Sequence, residues 1–180
     1  MPESGPRIAP IDYLDAAPAV QRAHDDHAKS VGRITNMKCT LLRSLPAFHA
    51  LMTWYELRDA VLPVLGERLT TIFAHAVSAQ ADCLICSTFF RRLLVESGED
   101  PDRLVLDARE SAVVAYARCL GQSPFFVPDE TFATMRGYFA EEELVTLTAF
   151  GALMVATNVV NNALAIPLDE YLEPFRREGR

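Results

Sequence analysis

The sequence predicts an all-α protein, a helical bundle, and three observations carry that prediction. Apolar residues recur at three- and four-residue steps through most of the chain, as in "PAFHALMTWYELRDAVL". No stretch sustains period-2 alternation, and no Asn-Gly or Asp-Gly hairpin turn occurs. Prolines and glycines fall between the periodic stretches, at Pro46, Pro63, Gly66, Gly98, Gly121 and Pro167, where they start or stop helices.

The elements follow in order. Residues 1–12 carry Pro and Gly with no apolar run, so they are expected to be loose and not to form a signal peptide. "APAVQRAHDDHAKSV" predicts a polar amphipathic helix lying on the surface. "TNMKCTLLRS" predicts a short helix with Thr35 and Asn36 as cap types. A helix begins at Pro46, another spans about 67–79, and a third runs from about Asp82 to Ser97, where Gly98 stops it. "DARESAVVAYARCLG" and "DETFATMRGYF" are helical. "EEELVTLTAFGALMVATNVVNNALA" is a long helix whose three leading glutamates suit the positive end of its dipole. The tail, 174–180, is expected to fray. One domain of 180 residues, half of them hydrophobic, has enough apolar surface for a substantial core.

Composition excludes several functions. The net charge is −7 and no long basic run occurs, so neither nucleic acid nor an anionic membrane surface is an expected partner. Residues 144–168 are uncharged and long enough to span a bilayer. However, Asn158, Asn161 and Asn162 crowd one end, which suits a core or subunit interface better than hydrocarbon. Four cysteines are sparse for a disulfide-stapled secreted domain of this length. The expected compartment is therefore a reducing cytoplasm.

Chemistry concentrates in "ADCLIC". Cys83 and Cys86 lie three residues apart, one helical turn, at the expected start of a helix capped by Asp82. A helix N-terminus favours a thiolate, so one thiol should be acidified, although the charge of Asp82 opposes this. The pair also admits a bland reading as two buried cysteines. A zinc site would need a second ligand pair, and Cys39 and Cys119 stand alone and are expected in the core. A thioredoxin-type motif would need a strand before the pair, where this chain has a helix. A redox dithiol on a helical scaffold is the reading that remains beside the bland one. "HDDH", His24 to His27, has metal-binding residue types, but nothing else completes a ligand set and a solvated helix face is expected. No cofactor and no metal is expected.

Three segments together resemble the alkylhydroperoxidase-like, or carboxymuconolactone decarboxylase, superfamily over residues 35–170. They are "TNMKCTLLRSLPAFHALM", "LGERLTTIFAHAVSAQADCLIC" and "VPDETFATMRGYFAEEELVTLTAFGALMVATNVVNNALAIP", and their order and spacing carry the resemblance. It implies an all-helical bundle that assembles as a homo-oligomer (trimer, hexamer or dimer). It also implies hydroperoxide reduction by Cys83 and Cys86, re-reduced by an external dithiol. Active members have a glutamate twelve residues before the first cysteine and a histidine four after the second, forming a proton relay. Here those positions hold Thr71 and Phe90. His75, four residues after Thr71, is the candidate substitute base, oriented by Thr71, with Glu67 one turn earlier. Phe89, Phe90, Trp54 and Tyr55 are candidates to line an apolar pocket, which would favour an organic substrate over hydrogen peroxide.

Three functions therefore compete. One is a thiol-dependent oxidoreductase acting on a small-molecule hydroperoxide or other organic substrate, as peroxidase or disulfide reductase. Another is a catalytically degenerate helical oligomer serving as redox sensor or interaction module. A third is a carboxymuconolactone-type decarboxylase, a branch that does not depend on the cysteine pair.

Overall fold

The computed structural model describes residues 5–177. Among these, regular structure is helical throughout: α1 Pro18–Val31, α2 Asn36–Leu41, α3 Leu45–Met52, α4 Trp54–Gln80, α5 Leu84–Glu96, α6 Ala108–Gly121, α7 Asp129–Arg136, α8 Glu141–Ala163, and a final 3-10 turn, Glu170–Phe175. The expected all-α class is the observed one.

Local chemistry explains the boundaries. The Thr35 hydroxyl accepts the Lys38 N–H and Ser44 accepts the Ala47 N–H, starting α2 and α3. Asp107 and Glu110 form a reciprocal capping box at the start of α6. The Glu143 carboxylate accepts the Ala140 N–H 2.8 Å away at the start of α8. Gly66 has φ 76° and ψ 165°, so α4 is two helical segments joined at a bend, the second of which carries Leu69 to Val77 into the core. Gly98, with φ 86°, follows the end of α5.

The second half of α4 is the central element, with α5, α6 and α8 packed around it. Phe73 and Phe150 stack with centroids 5.7 Å apart at the α4–α8 crossing. Gly121 lets α6 approach closely, since a Cβ there would press on the Val77 carbonyl oxygen. The apolar length of α8 is thus turned inward through Leu144, Leu147, Phe150 and Met154. By length and composition alone, Leu45–Gln80 and Glu141–Ala163 would each suffice to cross a membrane.

The structure corrects several local expectations. Residues 7–11 are tied down rather than loose: Arg7 N–H donates to Leu164 O and Ile11 N–H to Cys39 O. Residues 1–4 and 178–180, and with them part of the expected loose ends, lie outside the described residues. His27 is buried rather than solvated, its ring set edge-on to Phe48 at 5.3 Å and Tyr55 at 5.6 Å. Burial, with Lys38 and His24 adding to it, holds His27 down to about 4. Cys39 and Cys119 are half-buried at the edge of the core rather than inside it.

Candidate functional site

The turn between α4 and α5 sets the dithiol. Asp82 lies outside the helix with φ 51°, so it is not the cap expected from the sequence. Cys83 takes that position, with extended dihedrals (φ −91°, ψ 106°) and its carbonyl accepting the Ser87 N–H at 3.0 Å. Its N–H donates back to Ser78 O, also at 3.0 Å. Cys86 follows one turn into α5. Both thiols are free.

α8 closes the site from the opposite side. Asn161 is 2% exposed, and its side-chain amide donates to both sulfurs, at 3.2 Å to Cys86 Sγ and 3.6 Å to Cys83 Sγ. Its neighbour Asn162 donates to the carbonyls of Ala81 and Asp82, at 3.3 Å and 3.4 Å, and so pins the turn that presents the cysteines. Asn158, a turn before, is also buried.

These groups acidify the pair. Cys83 is held down to about 7, first by the Cys86 thiol that donates to it. The N–H groups of Cys86 and Ile85 and the Asn161 amide add to this, while burial opposes it. Cys86 is pushed up, by the proton it shares with Cys83 and by burial. The pair thus loses a first proton readily and holds the second. Acidity and access fall on different sulfurs. Cys83 is fully buried, whereas Cys86, 7% exposed, forms part of a cavity wall. Because one hydrogen bond links the sulfurs and Asn161 touches both, the charge can move to Cys86, the sulfur on the cavity side.

That cavity has a volume of about 700 Å³. Trp54, Tyr55, Phe89 and Phe90, the four aromatics expected from the sequence, all line it, as do Phe150 and Met154. Thr71 and Phe90 also line it. The Thr71 hydroxyl donates to the Glu67 carbonyl at 2.9 Å, and the Glu67 carboxylate is paired with Arg58, also at 2.9 Å.

His75 does not join this arrangement. It lines a second cavity, with Arg91, Asp102, Arg118 and Arg177, of which neither thiol is part. Burial, reinforced by Arg91, holds its pKa down to about 4. The Thr71 hydroxyl, committed to Glu67 O, does not orient it. The expected outcome of His75→Ala is therefore a thiol-alkylation pH profile unchanged from wild type; a shifted midpoint would restore His75 as the base.

In the sequence, the asparagines of α8 argue against a membrane span. Their spacing is a further signal: Asn158 and Asn161, three residues apart in an uncharged helix, share one face and demand polar partners where it is buried.

No protein-family model matches this chain, and no curated protein matches it. Among solved structures, it is similar to a cysteine-to-alanine variant of the debrominase Bmp8 in complex with 2,3,4-tribromopyrrole. The two are 18% identical with a TM-score of 0.78, over 93% of this chain and 94% of that one. It is also similar to an alkylhydroperoxidase AhpD core, a peroxidase-related protein from Ralstonia eutropha, at 16% identity and TM-score 0.74 over 94% and 95% of the chains. A peroxidase-related protein from a Silicibacter species matches at 17% identity and TM-score 0.70, over 98% and 100%.

Proposed function

On the premise that this chain has the alkylhydroperoxidase-like fold, we propose that it is a dithiol-dependent reductase of small organic molecules, with organic hydroperoxides as the substrate class. One observation carries this reading: an acidified cysteine pair, bridged by a buried amide, opens through Cys86 onto an aromatic-lined cavity. Fold alone would not support an activity.

The step begins with the pair holding one proton. The Cys86 thiolate attacks the terminal oxygen of the hydroperoxide, the O–O bond breaks, and its electron pair leaves with the alkoxide. Cys86 becomes a sulfenic acid. The alkoxide takes the proton held by the pair, giving the alcohol. The Cys83 thiolate attacks the Cys86 sulfur, expelling hydroxide, which a proton from the medium converts to water. An external dithiol reduces the resulting disulfide. The hydroperoxide is reduced by two electrons and the dithiol is oxidised by two. No side-chain base is required, because the N–H groups and the Asn161 amide stabilise the thiolate directly.

A second reading, reductive dehalogenation, is favoured by the likeness to Bmp8, a debrominase crystallised with 2,3,4-tribromopyrrole. The same dithiol balances it: Cys86 takes the halogen, the carbon takes the proton, and Cys83 displaces halide as the disulfide forms. A reducing cytoplasm and a homo-oligomer, with the exposed Val145 and Val159 of α8 at its contacts, complete the proposal.

The test is steady-state turnover with a dithiol reductant. Consumption of cumene hydroperoxide, faster than that of hydrogen peroxide, is expected. Halide release from a brominated aromatic in its place would favour the second reading. No turnover of either would leave the degenerate oligomer.

A further inference from the structure

The cavity has a second chemical end, away from the cysteines. Its wall runs from Phe90, one turn after Cys86, to Trp54 at 6.2 Å, on to Tyr55 at 5.1 Å, and then to the Lys38 ammonium 5.5 Å from the Tyr55 ring. Lys38 is 6% exposed and Asp169 is 9% exposed, and both line the cavity. The Lys38 ammonium has one hydrogen bond among the described residues, to Arg33 O at 2.9 Å, leaving two donors. Asp169 spends Oδ1 on the Asn36 N–H at 2.9 Å, while its buried Oδ2 has no partner among the described residues. The two groups feel each other's charge. Two side chains that line one cavity thus carry a spare donor and a spare acceptor, both buried.

Charge decides what they take. The ionic groups lining the cavity are Lys38, Arg58 and Arg68 against Glu67, Glu99 and Asp169. Arg58 is paired with Glu67, and Arg68 with Glu99. No net charge is left to hold an anion or a cation, and each buried atom instead needs a hydrogen-bond partner. A hydroxyl supplies both at once, accepting from Lys38 and donating to Asp169.

We propose that Lys38 and Asp169 bind a hydroxyl group on a neutral, mostly aromatic substrate, whose reducible bond lies toward Cys86. This rests on the proposed reductase only in taking the cavity as the substrate site, and it specifies the substrate class: hydroxylated, uncharged and apolar elsewhere.

Trp54 is the sole tryptophan and lines the cavity, so its fluorescence reports occupancy. The probes are 4-propylphenol, 4-propylanisole, which accepts but does not donate, and propylbenzene, which does neither. None has a reducible bond, so binding is read independently of turnover. The phenol is expected to bind the reduced protein about tenfold more tightly than the anisole. That preference should fall below about twofold in Asp169→Asn, which keeps the Asn36 bond and replaces the free acceptor, whereas Lys38→Met, which removes the donor to the oxygen, should weaken phenol and anisole alike relative to propylbenzene. Equal binding of phenol and anisole to wild type overturns the proposal. So does a preference that survives Asp169→Asn, phenol and anisole binding that Lys38→Met leaves unchanged, or no binding by any probe. If the preference holds and no hydroperoxide or halide is turned over, the reductase reading falls and this site stands; turnover without the preference has the opposite meaning.

Discussion

Cys86→Ser is expected to abolish dithiol-dependent reduction, by about a thousandfold or more, because it removes the only sulfur of the pair that lines the cavity. Cys83→Ser is expected to differ in kind. Cys86 still reacts once, but its sulfenic acid has no neighbour to resolve it, so one oxidant equivalent is consumed and the product accumulates. A dimedone adduct on Cys86, identified by mass spectrometry in Cys83→Ser and lacking in wild type, is the measurement. An adduct on Cys83 in the reciprocal Cys86→Ser variant, with retained single turnover, would reverse the roles. Acidity alone points to that reversal, since Cys83 is the more acidic thiol. Access favours Cys86 instead: Cys86 lines the cavity and Cys83 does not.

Asn161→Leu is expected to have the next largest effect. Leucine fills a similar volume without a donor, so neither sulfur keeps its amide hydrogen bond. Since the thiolate is the reactive form, alkylation rises with pH through the thiol pKa. The wild-type midpoint should lie near 7, and that of Asn161→Leu should move up toward the ordinary value of 9.0. A full move to that value would cut the reactive fraction at neutral pH about fiftyfold. Asn161→Asp should push the midpoint up as well, because a buried carboxylate beside the sulfurs repels the thiolate. A midpoint unchanged in both variants would leave helix-start N–H groups as the sole source of acidity. Thermal melting separates this from structural loss: Asn161→Gln retains the donor and should recover part of the shift.

The sequence made the helices legible where capping is local. Thr35, Asp107 and Gly98 each mark a boundary through bonds that span only a few residues. The dithiol was legible for the same reason, since a three-residue spacing fixes a shared face. Contacts between distant elements were not. Asn161 meets Cys86 across 75 positions, and nothing local to "CLIC" announces it. His75 shows the opposite failure. Four residues after Thr71 it is rotated about 40° around the helix. Sequence spacing cannot tell which neighbouring element lies on each side of that rotation. The structure puts Thr71 on the cavity of Cys86 and His75 on the cavity of Arg91 and Asp102. His27 is a similar case: the polar appearance of "HDDH" does not reveal that Phe48 and Tyr55 cover one side of α1.

The account holds that Cys83 and Cys86 are one redox unit that meets its oxidant through Cys86. Treating the reduced protein with one equivalent of cumene hydroperoxide tests this most directly, followed by thiol counting and peptide mapping. The account predicts loss of two thiols per chain, with Cys83 and Cys86 joined in one disulfide and Cys39 and Cys119 still free. Four intact thiols after complete mixing, or oxidation of Cys39 or Cys119 ahead of the pair, would contradict it.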